Sequence, residues 1–147
     1  MADKIHVVEV ACKGCYAHKK PCNFFVRDVA RTVGIHLPSS GDADALIDAA
    51  SHQWRQLTAD EAILAAERGV FVIAGMKAKE MSKPEEHGHV AVVLPGKIGA
   101  YPRVAATNDG DSHWGKSIGN VPMTHVFLAK DDKVRYFSPA AGASGSW

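Results

Sequence analysis

Between Asn23 and Val33 apolar side chains return every four residues, at Phe25, Val29 and Val33, and Gly34 follows. That spacing sets them on one stripe of a helix, and a glycine is well suited to the left-handed residue that ends one. A second stripe, Leu46, Ile47, Ala50 and Trp54, predicts a helix over Ala43–Trp54. Thr58-Ala-Asp-Glu61 has the form of a capping box and opens a third helix reaching about Arg68. Ile5 to Cys15 fits either a helix or a strand, because β-branched residues dominate it while a 3.6-residue period also runs through it.

After Arg68 the pattern becomes extended. Gly69-Val-Phe-Val-Ile-Ala-Gly75 is an apolar run bounded by glycines, and Gly88-His-Val-Ala-Val-Val-Leu94 is another, stopped at Pro95-Gly96. Both read as buried strands. Tyr101–Ala106, His125–Ala129 and Lys133–Phe137 are three more, the last two joined at Lys130-Asp-Asp132 as a hairpin. Lys77 to His87 reads as a polar loop and Ala140 to Ser146 as a loose tail. Helices first and antiparallel strands later make an α+β domain. At 147 residues the chain fits a single domain, residues 1–147, with a core that needs no metal or disulfide.

Composition narrows the function classes. The net charge is +1, with no run of Lys or Arg, which argues against nucleic acid. No stretch approaches the roughly 18 apolar residues of a membrane span, so no membrane insertion is expected. The first ten residues lack a basic region and their apolar run is broken by Glu9, so no classical signal peptide is expected.

The chemistry concentrates at Cys22 and His89. Cys22 stands where an irregular Lys- and Pro-containing stretch meets the Asn23–Val33 helix. Unpaired N–H groups and the positive end of the helix dipole favour a thiolate there. The same N–H groups can stabilise the oxyanion formed when an amide carbonyl is attacked. A buried structural cysteine fits the position equally. His89 heads an otherwise apolar strand, and an imidazole beside a thiolate is the pairing that activates sulfur nucleophiles. Alone, a histidine there is an ordinary core or surface residue.

Three blocks, Pro21-Cys-Asn-Phe-Phe-Val26, Gly69–Gly75 and Gly88-His-Val-Ala-Val-Val93, resemble type VI secretion amidase effectors of the first family. The resemblance runs from Ala11-Cys-Lys13 to Pro102, with a weaker echo at Lys116-Ser-Ile-Gly119. It implies a papain-like, NlpC-type fold in which helices pack on an antiparallel sheet. It also implies Cys22 as nucleophile, His89 as base, and a thiol amidase that cuts peptidoglycan stem peptides, at the amide between D-glutamate and meso-diaminopimelate. No cofactor is implied. Secretion without a classical signal, action in the periplasm of target bacteria, a cognate immunity protein and a component of the secretion apparatus as partners follow from the same resemblance. Where family members carry small polar residues after the nucleophile, this chain has Asn23-Phe24-Phe25.

A third residue to orient the imidazole is not obvious in Tyr101–Ala106. Papain-like enzymes accept Asn or Asp there, which points to Asn108 with Asp109 as the alternative, although Asn108-Asp-Gly110 also reads as a plain turn. Arg103, Lys116 and the Lys77–Lys83 loop are the nearest cations for substrate carboxylates. Two other readings stay open. One is a phage or housekeeping wall hydrolase of the same fold. The other is a metal-binding or redox module on Cys12-Lys-Gly-Cys15 with Cys22 and His18, or on His87-Gly-His89, although a second paired set of ligands is missing.

Overall fold

The computed structural model describes residues 4–16, 22–38, 41–77, 89–98, 101–106, 113–117 and 134–139. In chain order they form α1 (Lys4–Tyr16), α2 (Cys22–Thr32), α3 (Ala43–Gln53), β1 (Arg55–Leu57), α4 (Ala59–Glu67), β2 (Ile73–Met76), β3 (His89–Ile98), β4 (Tyr101–Ala106), β5 (His113–Ser117) and β6 (Arg135–Ser138). One six-stranded sheet, ordered β1-β6-β2-β3-β4-β5, is antiparallel at every pairing. The expected α+β arrangement of helices on an antiparallel sheet is what the chain adopts.

The ambiguous N-terminal segment is helical. Its β-branched residues cost a few tenths of a kcal/mol each in a helix. Burying Val8, Ala11 and Cys12 along one stripe returns more, since a fully buried valine alone is worth about 1.5–3 kcal/mol. In α3, Asp42 accepts from the Ala45 N–H at 3.0 Å, and the helix stops at Gln53. Trp54 is already extended, with its ring edge-on to Phe71. The capping box of α4 forms as expected, with Glu61 N–H to Thr58 Oγ1 at 3.1 Å and Thr58 N–H to Glu61 Oε1 at 2.9 Å.

The strands depart from expectation in four places. β1, three residues long, is too short to carry a period. β2 begins at Ile73 and not at Gly69, because the chain is still leaving α4 through Gly69 at φ 85°. β3 runs through Pro95-Gly96 to Ile98, where the expected stop is instead a break in register between Leu94 and Lys97. Such an irregularity tolerates a proline, and Arg103 closes it by donating from Nη1 to the Pro95 carbonyl at 2.6 Å. β5 carried no apolar signal. The expected strand at His125–Ala129 and the Lys130–Asp132 hairpin lie outside the described residues.

The sheet is covered on both faces. Phe71, Ile73, Val90, Val92, Leu94, Ala105 and Phe137 pack with α1, α2 and α3. The alternate residues Val72, Ala74, Met76, Ala91, Val93, Val104 and Ala106 pack with Ala62 and Ala66 of α4. Alanines on both sides let α4 approach the sheet closely. Among the described residues no helix is long and apolar enough to cross a membrane.

Candidate active site

Cys22 is the first residue of α2. Phe25, Val26, Val29 and Ala30 form the buried stripe of that helix, while Arg27, Asp28 and Arg31 point away from it. Its far end is fixed by Gly34 at φ 79°, with Gly34 N–H to the Arg31 carbonyl at 3.2 Å and Ile35 N–H to the Ala30 carbonyl at 2.8 Å. These two bonds are the Schellman pattern. Direction and tilt of α2 are thus set by its apolar stripe and its C-terminal lock. The N-terminal residue is left at the end that carries unpaired N–H groups and the positive dipole. The Cys22 side chain itself lies outside the described residues.

His89 is the first residue of β3 and is 6% exposed. The β2–β3 register sets it opposite Met76, with Val90 opposite Gly75 and Ala91 opposite Ala74. Gly75 is required by packing: a Cβ there would stand 2.7 Å from Ile47 Cγ1 of α3. Helix α2 packs against β3, so the helix that opens with the cysteine lies on the strand that opens with the histidine. Alternation along β3 gives His89 the face of Ala91 and Val93, which α4 covers, whereas α2 covers the face of Val90 and Val92. Register alone therefore does not turn the imidazole toward α2.

The remaining candidates separate clearly. Asn108 and Asp109, as well as His18, His87 and Gly88, lie outside the described residues. Arg103 is opposite Leu94, five positions along β3 from His89, and is occupied at the Pro95 carbonyl. Lys77 pairs with Asp48 of α3. Lys116 is placed in β5 opposite Val104. Neither Arg103 nor Lys77 is therefore a preformed carboxylate clamp beside His89.

Cys12 and Cys15 are free thiols in α1. Cys12 is fully buried, and burial first, then the neighbouring Cys15 and Glu9, push its thiol far above the ordinary range, so it is a poor nucleophile. Cys15 Sγ lies 3.9 Å from Thr32 Oγ1, at the last residue of α2. Ten residues of helix, about 15 Å, separate Thr32 from Cys22. Cys15 and Cys22 cannot share a metal ion at that spacing, and the module built on the three cysteines loses its geometric basis. Tyr16, the last residue of α1, packs its ring edge-on against Phe25 at 6.4 Å.

No known family profile matches the chain. Over 82 residues it is 37% identical to the peptidoglycan amidase Tse1 of Pseudomonas aeruginosa, a stretch covering 55% of this chain and 49% of that protein. The resemblance read from the sequence holds. The chain spans about half the length of the curated relative it matches.

Proposed function

We propose that the protein is a cysteine amidase acting on peptidoglycan stem peptides, with Cys22 as nucleophile and His89 as base. The observation that carries this reading is the packing of α2, opened by Cys22, on β3, opened by His89. Similarity to a peptidoglycan amidase supports the substrate class. The Cys22 thiolate attacks the amide carbonyl carbon, with the oxyanion facing the N–H groups at the start of α2. His89 protonates the nitrogen as the C–N bond breaks, then takes a proton from the water that cleaves the thioester. Because alternation points His89 to the α4 face, the mechanism requires its ring, at the first strand position, to reach around the end of the sheet to the α2 N-terminus.

Asn108 is the proposed orienting residue, ahead of Asp109. The β3–β4 register sets Val93 opposite Val104 and Val92 opposite Ala105. An amide oxygen on Asn108 can accept from the imidazole N–H. On this reading the D-glutamate–diaminopimelate amide is the bond cut, residues 1–147 act as one domain, and no cofactor takes part. The protein reaches the periplasm of target bacteria through a contact-dependent secretion apparatus, and an immunity protein guards the producer.

Purified protein incubated with cell-wall sacculi, with products identified by mass, tests the proposal. Fragments ending in D-glutamate and released diaminopimelate–alanine are expected. His89→Ala should lose about 10²–10⁴ in rate, and Asn108→Ala less. Digestion by Cys22→Ala at the unmodified rate would sink the mechanism.

A further inference from the structure

The element that holds His89 in place on its own sheet face is Met76, and from the register we infer that Met76 is the positioning residue of the imidazole. This rests on the reading of His89 as the base. Met76 ends β2, His89 begins β3, and the two are directly opposite. Residues so paired in an antiparallel sheet stand on the same face with Cβ atoms about 4.5–5.5 Å apart. Met76 is fully buried and His89 nearly so. A thioether with three rotatable bonds, in reach of an aromatic ring edge, lies against it favourably. It offers no hydrogen bond strong enough to compete with those the imidazole needs for proton transfer.

The backbone under Met76 is pinned from the other side. Gly75 is pressed against Ile47 of α3, with no room for a methyl group, and Lys77 is tied to Asp48 on the same helix. The end of β2 therefore cannot slide along α3 without breaking a packed contact and an ion pair. A fixed β2 end carries a fixed Met76, and Met76 walls one side of the His89 ring, limiting the rotamers open to it. The chemistry needs this restriction because His89 sits at the strand's first residue, where only one backbone neighbour is in the strand. A ring that must reach the α2 N-terminus gains from losing its other options, as misplacement by 1 Å costs on the order of 10²-fold in rate.

Two measurements test the inference. In protein with labelled methionine methyl groups, an NOE between the Met76 ε-methyl and the His89 ring is expected, and its absence overturns the placement whatever the activity. In the sacculus assay, Met76→Ala should lower kcat at least about tenfold with KM within about twofold, the pattern of an interaction made in the transition state. Met76→Leu, which keeps the volume, should restore activity to within about twofold. Met76→Ala also opens a cavity, so folding is checked at the assay temperature, with Met76→Val as the second variant should it unfold. Full activity in the shortened variants, with His89→Ala inactive, overturns the positioning role and leaves the base intact. Full activity in His89→Ala overturns the catalytic reading, and the NOE then reports on packing alone.

Discussion

Replacing Gly75 with alanine puts a number on how tightly α3 is pressed against the sheet. The added methyl carbon would lie 2.7 Å from Ile47 Cγ1, 3.0 Å from Ile47 Cδ1 and 3.4 Å from Val90 Cγ1. Ordinary carbon contacts are about 3.5–4.0 Å, so the two Ile47 atoms stand too close by roughly 0.5–1 Å or more. Ile47 is itself fully buried between α3 and the sheet, which limits its retreat. Overpacking of this kind costs about 1–3 kcal/mol. Stiffening of the unfolded chain by Gly→Ala offsets about 0.4–1 kcal/mol. Among the described residues the positive-φ glycines are Gly34, Gly69 and Gly96, so Gly75 adds no left-handed strain. The net expectation is a loss of about 1–2 kcal/mol, read as a lower urea midpoint at unchanged slope, or about 2–8 °C in Tm for a domain of this size. Ile47→Ala should cost more alone, by its cavity, yet the double variant should lie well short of the sum, because the second change removes the atoms the first collides with. A Gly75→Ala protein as stable as its parent, or strict additivity with Ile47→Ala, would refute the reasoning.

Two further expectations follow from groups away from the proposed site. Cys12 is buried with its thiol pushed up, so a disulfide reagent at neutral pH should titrate at most two thiols in the native protein and the third only in denaturant; three thiols reacting together would contradict its burial. Glu61 is held below its ordinary 4.5, first by the Thr58 backbone N–H, with the Thr58 hydroxyl and Arg55 adding to it. A lowered carboxyl stabilises the fold above its unfolded pKa and loses that contribution as pH falls through the folded value. The stability gap between the parent and Glu61→Gln should therefore be constant near neutrality and shrink below about pH 4.5, and a gap that widens on acidification would refute the sign.

Helices α2, α3 and α4 were legible because each carried its own periodic stripe or cap, as at Phe25–Val29–Gly34 and Thr58–Glu61, whereas the segment that forms α1 fitted a strand as well. The sheet was legible in Ile73–Met76 and His89–Leu94, whose unbroken apolar runs need no alternation, and also at Tyr101–Ala106, which is β4, and in Lys133–Phe137, which overlaps β6. Arg55–Leu57 and His113–Ser117 left no such mark. The first has three residues, and the second, at the edge of the sheet, mixes polar and aromatic side chains. Cys22 and His89 could be picked out because each opens an element whose remaining residues are explained by packing. The face on which His89 lies could not be read from the sequence, since it depends on which helix covers which side. That follows from α4 returning across the sheet after β1. Arg103 shows the converse: chosen for its charge, it serves to close the irregular turn at Pro95.

The position of β6 between β1 and β2 has a consequence for how the chain comes off the ribosome. Roughly sixty residues separate the end of β2 from the start of β6, about 3–12 s of synthesis at typical speeds. Throughout that interval β1 has none of the described strands beside it, and β2 lacks its β6 neighbour on one edge. A piece of the chain that stops short of Arg135 lacks the strand that joins β1 to the rest of the sheet. Cut out on its own, such a fragment is expected to be sticky and inactive. Nascent chains stay in that half-made condition until β6 slots in, which delays any proposed wall-cutting activity until Arg135–Ser138 has been made.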